Sequence, residues 1–398
     1  MKKPFGRIGL ATAGGVLALG LMAAPRVAAQ GRLPNEVRSS IGGAFNLWRF
    51  AHPVAQDSLS VSRVSQIAIP VSAAFSAGRW TFDAGFAYAS GRVELADGRT
   101  LDLSGATDVR LRAVGRVVGD NLLLTFGATL PTGRTRLVGS EIDAIRVLGS
   151  PALRLPVTNL GTGAAGTIGL VYATRAGDWN VGVGASFEGR GSYAPIESRV
   201  AGVSVPTDLH PGSTMRGSLG LDRTFARSRL SLLFAGEVFS HDRIEITAPA
   251  GVAVQSTYQL GPQFSAIGFL ELGVGGFRSF TLSAADRYRT SFTGLDGRKA
   301  AGSNGNVFEA AVEGVSGMAG RTGLVFRVDG RLDSGLEIDN TITTAAMTAI
   351  GLTLGLSIPA GRATLQPFVR GQIGTLDVGP ASTSATGFGG GLKLVFNR

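Results

Sequence analysis

Long segments in which apolar and polar residues alternate constrain this chain more than any other feature. Residues 181–188, 324–332 and 350–358 place apolar side chains at alternate positions, interrupted only at Gly330. Such alternation predicts β-strands with one apolar face and one polar or small face. The segments run for roughly ten to fifteen residues, whereas strands of soluble proteins usually have about five or six and a tilted membrane-spanning strand needs about nine to eleven. The pattern therefore favours an outer-membrane barrel over a soluble sandwich.

The breaks between these segments alternate between tight turns and longer polar stretches. Tight turns are expected at 77–78, 119–120, 177–178, 226–227, 275–276, 319–320 and 360–361. Longer loops are expected near 51–60, 92–106, 132–161, 193–211, 242–258, 291–304, 335–342 and 376–385. Short turns on one rim and long loops on the other are typical of outer-membrane barrels.

The turns also predict the number of strands. Seven tight hairpins, an opening strand near 40–50 and a closing strand near 386–396 give an even total of 16 strands. The sequence therefore predicts an all-β fold, a transmembrane antiparallel up-and-down β-barrel of about 16 strands (14–16), with short periplasmic turns and longer extracellular loops.

The first 29 residues have the features of a secretory signal peptide. A basic start is followed by an apolar run over 8–22 and by small residues at 27–29, ahead of Gln30. The run is too short and wrongly flanked for a membrane-spanning helix. We expect residues 1–29 to be a signal peptide and residues 30–398 to form the barrel. Removing the peptide takes away four basic residues and no acid, so the formal charge falls from +10 to +6.

The last strand resembles the assembly signal of bacterial outer-membrane proteins. Phe388, Leu392, Leu394 and Phe396 share one face of an amphipathic strand, although two further residues follow the last Phe. The resemblance implies recognition by the barrel-assembly machinery through Leu394 and Phe396. We therefore expect a location in the bacterial outer membrane, with outer-membrane lipid and lipopolysaccharide as neighbours.

No motif in the chain predicts a catalytic, metal or cofactor site. The chain contains no Cys, and His52, His210 and His241 lie in separate expected loops. Residues 161–166 match GxGxxG, but an expected strand follows, whereas a dinucleotide site needs a helix there. The Arg residues are spread from strand to strand, without the clusters of a nucleic-acid-binding surface. We predict no enzyme activity, no cofactor, no metal and no nucleic-acid partner, and an enzyme on a barrel scaffold remains the third alternative.

Charged residues fall on the strand faces that are expected to point into the lumen. The candidates are Arg110, Arg112, Arg116, Glu188, Arg190, Arg216, Asp222, Glu309, Glu313, Arg327, Asp329 and Arg331. Opposite charges on neighbouring strands can pair across about 5 Å, so Glu309 and Glu313 are expected to face the three charged residues of the next strand. Such ladders either brace a polar wall or set the selectivity of a pore. The excess of base would favour anionic or neutral solutes.

The longest expected loop, 132–161, contains a short-helix pattern. Ser140 stands where an N-cap is expected, acids follow in the first turn, and Gly149 comes after the last apolar residue. A helix of two turns is marginal alone, so packing against the barrel would have to stabilise it. We read the segment as a constriction or lid, with a surface ornament as the alternative. The candidate residues are Glu141, Ile142, Ile145, Arg146 and Leu148, of which Ile142, Ile145 and Leu148 form the apolar side.

Three runs of residues resemble a known family. They are DVRLRAVGR at 108–116, LTFGATLPTG at 124–133 and LGTGAAGTIGLVY at 160–172. They resemble the bacterial outer-membrane transporter family of the phenol meta-degradation pathway type, and more distantly the barrels that pass fatty acids and aromatic hydrocarbons. The resemblance covers 107–190 and implies passive diffusion of small hydrophobic or aromatic molecules, with no catalytic residue. A structural or adhesive outer-membrane barrel with a closed lumen is the alternative.

Overall fold

A computed structural model describes residues 37–56, 59–119, 121–200, 203–247, 253–300, 302–317, 321–337 and 344–397. The expected signal peptide, residues 1–29, lies outside the described residues and stays a prediction. Within the described ranges, no helix combines the length and the hydropathy that a membrane span requires.

The described part of the chain consists mainly of strands. In chain order they are β1 (Val37–Gln56), β2 (Leu59–Ala77), β3 (Trp80–Leu95), β4 (Thr100–Ala106), β5 (Val109–Val118), β6 (Leu122–Leu130), β7 (Leu137–Val138), β8 (Ala165–Ala176), β9 (Trp179–Arg190), β10 (Tyr193–Val200), β11 (Val203–His210), β12 (Thr214–Phe225), β13 (Ser228–Phe239), β14 (Asp242–Thr247), β15 (Ala253–Tyr258), β16 (Gln263–Leu272), β17 (Phe277–Arg289), β18 (Gly305–Ser316), β19 (Gly323–Glu337), β20 (Thr344–Ala360), β21 (Ala363–Val378) and β22 (Ala381–Asn397). One helix, α1 (Ser140–Leu148), lies between β7 and β8.

Sixteen of these strands close into one antiparallel barrel. Each barrel strand pairs with its sequence neighbours in the ring, and β1 pairs with both β2 and β22, which closes the sheet. The remaining strands β4, β7, β10, β11, β14 and β15 extend the wall or lie above it. The predicted fold class, a 16-strand up-and-down barrel, is confirmed.

The two faces of the barrel wall differ in polarity. Large apolar side chains are exposed on the outer face at alternate positions, for example Ile67, Ile69 and Phe75 on β2 and Ile350 and Leu352 on β20. Over most of the wall, the alternate positions carry small, polar or charged residues that point inward. A band of exposed apolar side chains around a closed barrel is the arrangement that a bilayer stabilises.

Short turns join strand pairs at one rim of the barrel, which we call the short-turn rim. They connect β2 to β3, β8 to β9, β12 to β13, β16 to β17 and β20 to β21. The strand ends at Val37 and Asn397 lie at the same rim, since Val37 pairs with Phe75 and Asn397 with Arg38. Of the expected turns, 319–320 and the second residue of 119–120 lie outside the described residues.

The opposite rim, the long-hairpin rim, contains more strand than the sequence predicts. Three expected loops, 51–60, 92–106 and 376–385, belong mostly to β1–β2, β3–β4 and β21–β22. The loop interpretation was wrong because a strand that continues beyond the bilayer needs polar residues on its outer face. On β3–β4, Arg92 and Asp102 pair outside at 2.7 Å, while Leu101 and Leu103 are buried on the inner side.

A second, five-stranded sheet stands at the long-hairpin rim in the order β15-β14-β11-β10-β7. The expected loops 193–211 and 242–258 form the hairpins β10–β11 and β14–β15 of this sheet. Strand β7, from the expected loop 132–161, runs parallel to β10. The sheet therefore connects the longest loop to the neighbouring hairpins.

Candidate functional site: a plug in the barrel lumen

The segment 134–161, which we call the plug, folds into the barrel and is clamped at its base by Asp108. This side chain, 4% exposed, precedes β5. Its Oδ1 accepts the N–H of Gly133 at 2.9 Å, and its Oδ2 accepts the N–H of Thr162 at 2.6 Å. Gly133 is required here because a Cβ would clash with the carbonyl oxygen of Leu160. One buried carboxylate therefore holds both ends of the plug together.

The helix of the plug begins one residue earlier than the sequence predicts, at Ser140. Gly139 occupies the N-cap position with φ of 53°, and no side chain caps the helix, so the assignment of Ser140 as the N-cap was wrong. A left-handed backbone favours Gly over Ser. Glu141 instead holds the chain that enters the helix: it accepts the N–H of Val138 at 3.2 Å and a hydrogen bond from Arg134 at 2.7 Å.

Helix α1 buries a face that overlaps only in part with the expected one. Ala144, Val147 and Leu148 are buried, whereas Ile142 and Ile145 are partly buried and pack against the same apolar cluster. The helix lies against β3 and β4. Leu148 occupies the space above Gly91 on β3, where a Cβ would lie 2.6 Å from its Cδ1. The remaining helix candidate, Arg146, has its Nη1 at 3.8 Å from Oδ1 of Asp143 on the same helix.

The chain after the helix is held by side chains of the wall. Trp48 Nε1 on β1 donates to the carbonyl oxygen of Leu153 at 2.9 Å. The Gln66 amide on β2 donates to the carbonyl oxygen of Val157 at 2.6 Å and accepts its N–H at 3.0 Å. These contacts are buried, so each satisfies a backbone group that water does not reach. Trp48 and Gln66 hold the plug, and sequence reasoning had missed both.

The part of the inner wall behind the plug is apolar, whereas the alternation predicts polar or small residues on the inward face. Trp48, Val64 and Val93 form one buried cluster with Met347 and Leu376 on the adjoining strands. The plug adds buried residues of its own, including Leu148, Leu153, Leu155 and Leu160. Burial of this apolar surface favours the docked position of the plug.

Arg154 links the plug to the charged wall on the other side. Its φ of 50° is rare for a residue with a side chain. The guanidinium donates to Glu309 on β18 and lies 3.6 Å from Asp333 on β19. Arg331 donates to the carbonyl oxygen of Ala152. The plug thus spans from the apolar wall to the charged wall.

The structure places the charged candidates on the inner face of the wall, several of them beside partners that the sequence reasoning had not singled out. Glu309 lies opposite Arg331 in the strand register, and Glu313 lies opposite Arg327. The ion pairs made by the candidates include Arg112–Asp83 at 2.8 Å, Arg190–Glu188 at 2.6 Å, Arg216–Glu237 at 3.2 Å, Arg229–Asp222 at 2.7 Å, Arg327–Glu313 at 3.3 Å and Arg370–Asp329 at 2.6 Å. Arg110 and Arg116 share the inner face of β5 with Arg112. The sequence carried a signal for Asp83, Glu237 and Arg229, since each occupies an inward position of a neighbouring strand, whereas Arg370 reaches Asp329 across β20.

Water reaches the inner wall below the plug. Near the short-turn rim, the side chains of Glu313 and Arg327 are 46% and 43% exposed although they face inward. The plug contacts β1–β4 and β18–β20 of the wall, and its strand β7 pairs with β10 of the five-stranded sheet, all toward the long-hairpin rim. The lumen is therefore narrowed at one end and hydrated at the other.

Comparisons with known proteins place the chain in no family. No family model matches it, and no curated protein matches it in sequence. Among solved structures it is similar to OprB of Pseudomonas putida at high pH, with 11% identity, a TM-score of 0.47 and coverage of 90% of this chain and 94% of that one. A bacterial polysaccharide outer membrane secretin is 11% identical, with a TM-score of 0.45 and coverage of 92% of this chain and 99% of that one. A deletion mutant of the monoaromatic hydrocarbon channel TodX is 11% identical, with a TM-score of 0.41 and coverage of 92% of this chain and 91% of that one.

Proposed function

We propose that this protein is an outer-membrane channel through which small molecules diffuse passively, past a plug that narrows the extracellular half of the lumen. The observation that carries the proposal is the contrast between the two faces of the closed barrel. Its apolar outer face requires a bilayer, and its charged inner face keeps water and polar solutes in contact with the wall.

The position of the plug supports a passage rather than a sealed lumen. The plug rests on the apolar wall of β1–β4 and reaches the charged wall through Arg154. The ion pairs Arg190–Glu188 and Arg216–Glu237, on β9, β12 and β13, line the remaining arc, and their side chains are 14% to 24% exposed. A solute would pass between this arc and the plug.

The solute class has two candidates. The charged wall favours small polar or anionic molecules, in keeping with the excess of base. The sequence resemblance instead implies hydrophobic or aromatic molecules, and the apolar cluster around Trp48, Val64 and Met347 favours that class because it would line the upper lumen if the plug moved. Uptake into vesicles with a lipopolysaccharide outer leaflet, comparing a monoaromatic alcohol with a small sugar, would separate the two classes.

Location and partners are proposed on the same ground. The apolar outer band would meet outer-membrane lipid and lipopolysaccharide. Phe396 is 40% exposed on the outer face of the closing strand, where it and Leu394 would be available to the barrel-assembly machinery before the barrel closes. The absence of enzyme activity remains a prediction.

Single-channel recording in a planar bilayer tests the channel. The refolded protein would be compared with a variant that lacks residues 136–156, and both would first be shown to fold by their β-sheet circular dichroism. We expect steady conductance from the full-length protein and a larger one from the variant. Conductance from the variant alone would make the plug a closed gate. If neither folded protein conducts, the structural or adhesive barrel replaces the channel.

A further inference from the structure

We propose that the lumen near the long-hairpin rim contains a subsite for the carboxylate group of a small anionic solute, formed by Arg154 of the plug and Arg287 of β17 on either side of Glu309. The inference rests on the proposed channel function and specifies the chemistry that the passage recognises. It is supported by the charge balance, the exposure and the geometry of the side chains around Glu309.

The cluster contains more positive than negative charge. Three guanidinium groups, those of Arg154, Arg287 and Arg331, face two carboxylates, those of Glu309 and Asp333. Arg287 lies 3.4 Å from Glu309, Arg331 lies 3.5 Å from Asp333, and Arg154 contacts both acids. Within the described ranges, these five groups therefore leave one positive charge without a counterion.

The neighbouring group on the same wall is balanced. Arg327 pairs with Glu313 at 3.3 Å and lies 3.5 Å from Asp329, which pairs with Arg370 at 2.6 Å. Two bases face two acids there, which is what a brace between strands requires. The excess of positive charge around Glu309 is thus a local property and is not shared by the neighbouring ion pairs of the wall.

The surplus charge is accessible from the lumen. The side chains of Arg154, Arg287 and Glu309 are 32%, 28% and 29% exposed. Arg331 and Asp333 are closed off behind them, at 7% and 0%. A solute would therefore meet Arg154 and Arg287 first, and the buried pair would act as a fixed support.

Glu309 shows that the two guanidinium groups are spaced for a carboxylate. Its Oε1 accepts from Arg154 and its Oε2 accepts from Arg287 at 3.4 Å, so one carboxylate bridges both. Each guanidinium has five N–H donors, and Glu309 accepts from only one nitrogen of each, Nη1 of Arg154 and Nη1 of Arg287. A second carboxylate can therefore bind beside Glu309 through donors that Glu309 does not use, in the planar geometry that Arg favours.

Partial exposure would keep such binding weak, as passage requires. Charged pairs that retain contact with water are screened, and a solute must both enter and leave a channel site. The expected signature is millimolar interaction with the open channel, rather than tight binding.

The test uses benzoate and benzamide, which share a ring and differ in the carboxylate, added in millimolar amounts during recording in KCl. In the wild-type channel we expect benzoate to interrupt the current at a concentration about tenfold lower than benzamide. R287Q and R154Q should each lose most of this preference, and R154K should retain part of it. R229Q, which removes the same charge near the short-turn rim, is the matched control and should keep the preference.

The outcomes separate the subsite from the channel. Equal effects of benzoate and benzamide on a conducting wild-type channel would overturn the subsite and leave the channel standing. An equal loss of preference in R229Q and R287Q would also overturn it, because the effect would then come from the overall charge of the lumen. A wild-type protein without KCl current would count against the channel itself.

Discussion

Replacing Asp108 by Asn should loosen the base of the plug while the barrel stays intact. The Asp108 carboxylate accepts the N–H of Gly133 at 2.9 Å and the N–H of Thr162 at 2.6 Å. An Asn amide keeps one acceptor oxygen but presents an NH₂ donor to the second N–H. One charge-assisted hydrogen bond is lost, and one backbone donor in a buried position is left without an acceptor.

The size of the effect follows from these two contacts. A hydrogen bond to a charged group contributes about 1.5–3 kcal/mol, and an unsatisfied buried donor costs about 1–3 kcal/mol, partly the same energy. We therefore expect a loss of about 2–4 kcal/mol for the docked base. Because about 1.4 kcal/mol corresponds to a factor of ten, the detached population should rise about 30-fold to 700-fold. The pairing of β5 with β6 does not involve this carboxylate.

Limited digestion with trypsin measures this population. The plug contains several arginines, and cleavage after Arg154 or its neighbours should follow the detached fraction when opening is fast relative to cleavage. D83N is the control, because Asp83 pairs with Arg112 at 2.8 Å inside the lumen and has no described contact with the plug. If D108N is cut no faster than D83N and the wild type, Asp108 does not hold the plug and the reasoning fails.

Two further predictions concern the plug and the five-stranded sheet at the long-hairpin rim. W48F removes the donor to the carbonyl oxygen of Leu153. A buried carbonyl left without a partner costs about 1–3 kcal/mol, so amide hydrogen exchange of residues 150–157 should accelerate. Unchanged exchange would contradict the role of Trp48. Burial raises the pKa of Asp242, mainly by desolvation, although the Gly212 N–H lowers it. Ionisation of the Asp242 carboxyl therefore lowers the stability of the folded state as the pH rises from the pKa in the unfolded chain to the higher pKa in the folded one. D242N should slow exchange of β11–β14 at pH 7 and have no effect near pH 3; equal exchange at pH 7 would refute this.

The fold could be predicted because its rules are local. The period of two identifies strands and faces from neighbouring residues alone, and seven Gly- or Ala-containing turns set the number of strands. The same rule failed at the long-hairpin rim, where β3 and β4 continue beyond the bilayer with Arg92 and Asp102 outside. There the outer face meets water, so polarity no longer separates strand from loop.

The candidate site was predictable only in part. Alternation assigns Glu309 and Arg331 to inward positions, and the strand register pairs them. Arg154 could not be included, because 155 residues separate it from Glu309 and no periodicity connects a loop residue to a wall residue. The roles of Trp48 and Gln66 were hidden for the same reason, since both bind backbone carbonyls, which every residue has.

The sequence by itself determined the barrel: its strands, its two faces and its closure near 16 strands, since the pleat makes side-chain direction a property of position along the strand. Only the tertiary structure decided that the plug enters the lumen, that Asp108 holds its ends, and that the wall behind it is apolar. Each depends on groups brought together by barrel closure across long stretches of chain. The sequence does not show whether an inward apolar residue such as Val64 or Met347 is covered by a plug or exposed to water.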